Sequence, residues 1–504
     1  MSTSLQASSL TSGRVLARST IWSLLGQLLP MAVAIICVPL LVHGLGVARF
    51  GVLSLAWIVI GYFSLFDLGL GRAVTKAVAD RLGAGLHDSI PALVWTAALL
   101  MLLLGVFGGM VTFGISPWLV YKALKIAQDL QAETLRSFYL LAASIPLVTL
   151  TSGLRGVLEA QQKFGLANLL RVPLSIYSFA GPLLVLPFSH SLVPVVMVLV
   201  AGRILALAAH LIACFYVMPE LRHHFALRRS EAGPLLRFGG WITASNILGP
   251  IVAYVDRFFI GVLLSVTALA YYTTPLDMVS RLTVIPGALA AVLFPAFAVS
   301  LLQAPERASL LLSRALKYTL LAIFPIVLTV IVLAPEILRL WLGVSFMQNS
   351  TLVLRWLAAG VFINCFGQVP FAFVQSAGHP DLTAKMYLIE LPVYFGLIWV
   401  LTRRYGLEGA AIAWTIRVTL DAVLLFLFTW RLLPQRPTFL MRLAAATTIG
   451  MALFYCGTLP HSLVVRLTLL LIMLLLFAGV GWLRGLGSHE RVFFLQAGAR
   501  KAGG

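Results

Sequence analysis

The stretch SIPALVWTAALLMLLLGVFGGMVTFGIS, residues 89–116, runs without a single charged side chain. As a helix it is longer than the ~30 Å hydrocarbon core of a bilayer, because each residue advances the helix by about 1.5 Å. A soluble domain offers no surface on which so long an apolar helix could lie. The stretch therefore predicts a transmembrane helix, and it decides the fold class.

Similar apolar stretches recur along the whole chain. The 504 residues are 60% hydrophobic and 11% charged, whereas soluble proteins carry about 25% charged residues. We therefore predict an all-α polytopic membrane protein with about fourteen transmembrane helices. The predicted helices are 19–43, 47–70, 89–116, 135–158, 166–188, 192–218, 235–263, 266–302, 316–333, 351–377, 381–402, 406–432, 438–458 and 460–483. Their connections are too short for a soluble catalytic domain, which favours a transporter over an enzyme.

The positive charge follows the membrane topology. The net charge is +19, and the basic residues fall mostly between apolar stretches without forming a continuous basic face, so no nucleic-acid partner is expected. With the N-terminus in the cytoplasm, 23 of the 36 Lys and Arg residues fall on the cytoplasmic side, 8 on the opposite side and 5 within spans. This asymmetry predicts that both termini are cytoplasmic. The polar first 18 residues do not resemble a cleavable signal peptide.

Catalytic and cofactor motifs are not evident in the sequence. No P-loop or metal-ligand spacing appears, so we expect neither a cofactor nor ATP hydrolysis by the chain itself. The four cysteines are expected to be small buried hydrophobic residues without disulfides: Cys37, Cys214, Cys365 and Cys456.

A weak internal repeat predicts two lobes of six helices with the same orientation. Three pairs of segments recur at offsets of 214–219 residues, namely Val47–Gly51 with Val266–Ala270, Gly156–Gln161 with Phe373–Gly378, and Arg203 with Arg417. Parallel repeats of this kind form transporters whose site lies between the lobes. The predicted segments are a cytoplasmic tail (1–18), an N-lobe (19–220), a cytoplasmic linker (221–234), a C-lobe (235–433), two added helices (434–484) and a C-terminal cytoplasmic tail (485–504).

Arginines inside the spans are candidates for binding an anionic substrate, because an ionised side chain at mid-bilayer costs about 2.5–3.5 kcal/mol. The candidates are Arg203, Arg281 and Arg417 near the middle of the sixth, eighth and twelfth predicted helices, and Arg257 in the outer half of the seventh. Arg355 lies near a helix end, from which its side chain can reach the membrane surface.

Acidic residues in the same spans leave a second interpretation open. Asp277 precedes Arg281 by four residues, and Asp421 follows Arg417 by four, so each pair shares a helical face. These arginines are therefore either substrate ligands or members of structural ion pairs. Glu390 has no basic partner on its own helix and lies beside Pro392. It is either a proton-coupling carboxylate or a group that is neutral or paired across helices.

Several segments together resemble the polysaccharide-type flippases of the multidrug/oligosaccharidyl-lipid/polysaccharide exporter superfamily, such as O-antigen and exopolysaccharide repeat-unit translocases. The resemblance covers most of residues 19–433, and the two added helices suit the fourteen-helix branch. The segment Phe66–Ala73 contains Asp67, which joins the candidates for coupling or charge pairing. The segments are Gly44–Gly51, Phe66–Ala73, Ala334–Gly343, Gln375–Pro380 and Gly406–Ala411.

The resemblance implies a flippase that moves undecaprenyl-pyrophosphate-linked repeat units across the bacterial inner membrane by alternating access. It implies a polyprenyl-pyrophosphate-linked oligosaccharide, membrane lipids and a polysaccharide polymerase or export machinery as partners. A multidrug or small-molecule antiporter and a peptidoglycan lipid-precursor flippase of the same superfamily are the alternatives. Cationic drugs would call for acidic cavity residues, whereas the charges within these spans are at least as basic as acidic.

Overall fold

The structure is a computed structural model that describes residues 29–30, 32–62, 70–161, 163–223, 225–228, 233, 254–303, 305–433, 438–459 and 462–480. Helices account for nearly all of these residues, and the described segments contain no β-strand. The all-α prediction is therefore confirmed. The chain divides into two compact units, Met1–Ala270 and Tyr271–Gly504. The predicted domain limits, with a linker at 221–234, remain predictions.

The first unit consists of helices joined by short connections. They are α1 (Ala32–Leu45), α2 (Val47–Tyr62), α3 (Leu70–Gly83), α4 (Ile90–Trp118), α5 (Gln128–Ala160), α6 (Phe164–Ala180), α7 (Leu192–Val217) and α8 (254–263). Gly46 joins α1 to α2 with a φ of 78°, a left-handed conformation that glycine adopts without a steric cost. The predicted start of a helix at Val47 is confirmed.

The second unit contains most of the remaining helices. The division between the units falls within α9 (Val266–Ser280), which continues through a 3-10 turn, Arg281–Thr283, into α10 (Val284–Gln303). Pro286 explains that turn, because it lacks the N–H group that would bond to the Leu282 carbonyl. The helices that follow are α11 (Pro305–Val332), α12 (Ala334–Leu342), α13 (Val344–Ser376), α14 (Pro380–Leu432), α15 (Thr438–Thr458) and α16 (Leu463–Val480).

Seven helical segments in the described part of the chain are long and apolar enough to cross a membrane. The chain is therefore a multi-pass membrane protein, whereas the total of fourteen spans remains a prediction. The seven segments are His87–Ala123, Gln128–Ala160, Leu192–Val217, Glu306–Val332, Val344–Ser376, Asp381–Leu432 and Leu463–Val480.

Two amphipathic helices were missed by the search for apolar spans. The segment around Lys76 and Arg81 was predicted to be a loop, but it forms α3, which buries one face of the helix. The segment after residue 333 forms α12, which ends at Gly343 with a φ of 93°. Helix α3 carries several charged residues, so its mean hydropathy is low, and α12 has only nine residues, too few to span a membrane. Helical periodicity, rather than hydropathy, is the signal that predicts them.

Several helices also extend beyond the predicted apolar segments. The helices α5, α11 and α13 start at residues 128, 305 and 344, where the prediction had 135, 316 and 351. Their added turns are polar, and a helix keeps its backbone hydrogen bonds outside the hydrocarbon core. Of the four cysteines, Cys456 is exposed, so the prediction that it is buried was wrong.

Small residues bring α4 and α5 into close contact. A Cβ atom on Gly105 would lie 2.6 Å from the Pro146 Cα atom, so only glycine permits this approach. The hydroxyl of Thr149 donates a hydrogen bond of 3.1 Å to the Met101 carbonyl oxygen across the same interface. This pair of helices anchors the buried core of the first unit, to which α3 and α7 also contribute.

The two C-terminal helices pack on the second unit through aromatic rings. Phe477 of α16 lies 4.4 Å from the ring centroid of Phe324 on α11. Phe454 of α15 lies 5.5 Å from Phe324 and 5.1 Å from Phe362 of α13. These contacts pack α15 and α16 against α11, and α15 also against α13.

Candidate functional site

Arg203 lies near the middle of α7, about 17 Å along the helix from its first residue and about 21 Å from its last. Its side chain is half-buried. Within the described part of the chain it makes no hydrogen bond or ion pair. An arginine at this depth faces water, another polar group or a bound anion, because contact with acyl chains is costly.

Arg257 lies on α8, where it contacts an aromatic ring. Its guanidinium carbon is 4.8 Å from the centroid of the Tyr254 ring, a cation–π geometry. Its backbone N–H donates a hydrogen bond of 2.8 Å to the Asp256 carboxylate, which is fully buried. Lys125 donates to the Leu263 carbonyl at the C-terminal end of this helix. That bond satisfies a carbonyl that the helix leaves without an internal partner.

Arg281 opens the 3-10 turn between α9 and α10, and both Arg281 and Asp277 are exposed. The tighter turn has three residues per turn, which changes the alignment expected for residues four apart on an α-helix. Whether Arg281 binds substrate or pairs with Asp277 therefore stays a prediction.

Helix α14 reverses direction at Gly406, whose φ of 60° and ψ of −137° interrupt the helix. Arg417 demonstrates the reversal, because its guanidinium carbon lies 5.3 Å from the centroid of the Tyr394 ring. In a continuous helix these residues, 23 positions apart, would be separated by about 35 Å. Gly409 allows the two halves to approach, since a Cβ atom there would overlap the Leu401 carbonyl oxygen.

The reversal brings three charged residues of α14 to similar depths. Glu390 precedes Gly406 by 16 residues, and Asp421 follows it by 15, so the two carboxylates lie near the same level of the hairpin. Arg417 is one helical turn from Asp421. The hairpin therefore assembles one polar cluster within the second unit.

Glu390 and Arg417 are buried, and several polar atoms of the cluster make no hydrogen bond to the described residues. Glu390 is 1% exposed, and neither of its carboxylate oxygens has a hydrogen-bond partner among the described residues. Arg417 is 9% exposed, and within the same part of the chain its Nε atom and Oδ1 of Asp421 are also without partners. The recorded ion pairs of the described residues do not include Arg417 with Asp421. Buried polar atoms without partners are uncommon in folded proteins.

Sequence reasoning found the charges of this cluster but missed its tyrosines. Tyr387 and Tyr394 stand three residues before and four residues after Glu390, so all three share a helical face. That spacing was the signal available in the sequence. Asp67 lies outside the described residues. No group of three or more His, Cys, Asp or Glu side chains that could hold a metal ion occurs in the described part of the chain.

The fold is similar to that of solved transporters of the MOP superfamily. An inward-facing multidrug-resistance transporter of the MATE family matches with a TM-score of 0.66 at 16% identity, covering 84% of this chain and 99% of its own. The lipid II flippase MurJ, in an inward closed conformation, matches with a TM-score of 0.65 at 12% identity, covering 92% and 98%. At these identities the likeness establishes the fold alone.

Sequence similarity defines the family more closely. Residues 16–301 match the family described as polysaccharide biosynthesis protein. A Shigella flexneri protein named as an O-antigen transporter is 30% identical over 412 residues, which are 81% of this chain and 96% of that protein. The chain belongs to the polysaccharide biosynthesis protein family, and the resemblance to polysaccharide-type flippases is confirmed.

Proposed function

We propose that this protein is a flippase that moves an undecaprenyl-pyrophosphate-linked oligosaccharide, an O-antigen or exopolysaccharide repeat unit, from the cytoplasmic to the periplasmic leaflet of a bacterial inner membrane. The observation that carries the proposal is the 30% identity to a protein named as an O-antigen transporter, across 96% of that protein. Transport proceeds by alternating access, with both termini in the cytoplasm. A polysaccharide polymerase or export machinery receives the translocated unit.

The charged part of this cargo gives a reason for arginines to lie within the membrane spans. A pyrophosphate is the most costly part of the molecule to carry through hydrocarbon, whereas its prenyl chain can remain in lipid. A guanidinium group holds phosphate oxygens through paired, charge-assisted hydrogen bonds. Arg203, Arg257 and Arg281 are the proposed ligands, with Arg203 the strongest candidate because it is half-buried at mid-span without a partner in the described structure. Arg417, proposed with them from the sequence, has a more enclosed environment.

The two alternative functions have weaker support. The matching multidrug transporter and lipid II flippase are 16% and 12% identical to this chain, so they support the architecture without indicating its cargo. The lipid II flippase alternative shares the requirement to carry a lipid-linked phosphate group. Analysis of the lipid-linked intermediates that accumulate without the protein separates it from the proposed function.

Deleting the gene in its host tests the function. Surface polysaccharide should fall to background while its pyrophosphate-linked repeat units accumulate in the membrane. Re-expressed wild-type protein should restore export, and Arg203→Lys should restore part of it. Arg203→Ala should lower export at least tenfold, because the charge is lost. Arg431→Ala, at an exposed arginine near the end of α14, is the matched control and should export normally.

Two results would contradict these proposals separately. An unchanged pool of lipid-linked repeat units after deletion would exclude the proposed cargo. Wild-type export by an Arg203→Ala variant that reaches the membrane in normal amounts would reject the role of Arg203 while leaving the cargo assignment in place.

A further inference from the structure

Two arginines of the second unit meet at the junction between α11 and α12. Nε of Arg355 on α13 donates a hydrogen bond of 3.2 Å to the carbonyl oxygen of Ile331 in the last turn of α11. Arg466 on α16 binds the carboxylate of Glu336 on α12 through both of its terminal nitrogens. We propose that this junction binds the phosphate group of a membrane lipid, with Arg355 as its main ligand. The inference goes beyond the proposed function, because it does not depend on which cargo the protein carries.

A proline explains how Arg355 is held at the junction. In a continuous helix the Ile331 carbonyl would accept a hydrogen bond from the backbone nitrogen of residue 335, but Pro335 has no N–H group. Arg355 supplies the missing donor through Nε, which leaves the other N–H groups of its guanidinium for a second acceptor. Its side chain is half-buried, and within the described part of the chain it forms no ion pair.

The charges around the junction favour an anion. Helix α11 has its charged residues in its first half, and the last of them, Lys317, is about 21 Å along the helix from Ile331. Because Arg466 neutralises Glu336, no acidic residue of the neighbouring helices compensates the charge of Arg355. The charged residues of α12, α13 and α16 are Glu336, Arg339, Arg355 and Arg466, and α15 has only Arg442, near its other end.

Exposed apolar side chains indicate that the anion belongs to a lipid. Leu340 of α12 and Val464 of α16 are 88% and 71% exposed, and Trp356, next to Arg355, is also exposed. In a multi-pass membrane protein such apolar side chains contact lipid, and tryptophan is enriched at the level of the headgroups. A guanidinium group at that level holds phosphate oxygens through charge-assisted hydrogen bonds. The acyl chains of the same lipid can cover the apolar surface beside it.

Lipid binding by the purified full-length protein in a nonionic detergent tests the site. Phosphatidylglycerol should raise the Tm saturably, whereas diacylglycerol with the same acyl chains should not, because it lacks the phosphate. Inorganic phosphate should have a much weaker effect than the lipid, since it gains nothing from the apolar surface. If inorganic phosphate saturates the response equally well, the site binds free phosphate and the assignment to a lipid is wrong.

Charge substitutions at the junction should change the affinity in opposite directions. Arg355→Gln keeps an N–H donor for the Ile331 carbonyl but removes the charge, so the half-saturating concentration of phosphatidylglycerol should rise about tenfold. Glu336→Gln keeps an oxygen acceptor for Arg466 but adds net positive charge, so that concentration should fall. Arg403→Gln is the matched control, because Arg403 is an exposed arginine over the ring of Trp399, and it should bind the lipid as the wild type does.

The half-saturating concentration separates binding from stability. A purely structural role of these residues would change the Tm without lipid and leave that concentration unchanged. The proposal is overturned if phosphatidylglycerol has no saturable effect on the wild type, if Arg355→Gln binds it as tightly as the wild type, or if Arg403→Gln weakens binding as much as Arg355→Gln. None of these measurements involves glycan export, so a negative result leaves the proposed cargo in place.

Discussion

Arg466 and Glu336, which are 130 residues apart in the chain, form a bidentate ion pair between two helices. Two guanidinium nitrogens of Arg466 on α16 lie 2.8 and 3.1 Å from the two carboxylate oxygens of Glu336 on α12. The pair is largely buried, and it lies apart from the aromatic contacts of Phe477 in sequence and along α16. The last helix is thus held at two separate points along its length.

Removing one partner of this ion pair should destabilise the protein. Arg466→Met leaves the Glu336 carboxylate without its counter-charge, at a cost on the order of 3 kcal/mol. We expect a Tm several degrees below that of the wild type in detergent, measured by loss of the monodisperse protein peak on heating. The double variant Arg466→Met/Glu336→Gln should recover much of the loss.

An exposed ion pair provides the control. Lys385 and Asp381 are 2.9 Å apart, but more than half of each side chain is exposed. Such pairs contribute about 0–1 kcal/mol, so Lys385→Ala should leave the Tm nearly unchanged. Equal effects of the Arg466 and Lys385 variants would show that the buried pair does not hold α16 in place.

Gly51 should tolerate no side chain. A Cβ atom at this position of α2 would overlap the carbonyl oxygen of Val266 at the start of α9. Gly51→Ala should cost about 1–3 kcal/mol, because the backbones must move apart. Gly114→Ala on α4, where a Cβ atom meets no other atom within 4 Å, is the control. A Gly51→Ala protein as heat-stable as the control would rule out this close contact.

Neutralising Arg417 and Asp421 together should be less harmful than neutralising Arg417 alone. Arg417→Met leaves the buried Glu390 and the half-buried Asp421 without the positive charge of Arg417, whereas Arg417→Met/Asp421→Asn leaves only Glu390. We expect export, measured as surface polysaccharide at equal membrane protein levels, to be several-fold higher in the double variant. If the double variant inserts normally but exports no better than Arg417→Met, Arg417 acts on the cargo directly.

Reporter fusions test the topology. Fusions after Arg229, Arg314 and Arg436 should report a cytoplasmic location, and fusions after Lys125 and Arg404 a location on the opposite face, as the distribution of basic residues predicts. A phosphatase active only outside and a fluorescent protein active only inside give complementary signals. The predicted fourteen-helix arrangement would be wrong if Lys125 and Arg229 reported the same side.

The apolar spans could be predicted closely from the sequence. The predicted limits of 89–116 and 192–218 differ from α4 and α7 by at most two residues at either end. Uninterrupted apolar runs define such helices without reference to the rest of the chain. In contrast, α3 and α12 bury one face against neighbouring helices, so their stability depends on contacts that hydropathy does not measure.

Pairings between distant residues could not be predicted. Nothing near Arg466 in the chain indicates Glu336 as its partner. Likewise, spacing suggested that Arg417 faces Asp421, whereas the contact between Arg417 and Tyr394 depends on the backbone reversal at Gly406. Such contacts are set by the path of the chain in three dimensions, which local periodicity does not encode.

The reversal at Gly406 also bears on biosynthesis. A single non-helical residue joins the two halves of α14, so almost no loop separates them. The second half alone would be a poor segment for the insertion machinery, because an arginine at mid-span costs about 2.5–3.5 kcal/mol. When both halves enter the membrane together, Arg417 contacts the Tyr394 ring of the first half and lies near the level of Glu390. We expect the nascent chain to leave the translocon here as a preassembled hairpin rather than one helix at a time.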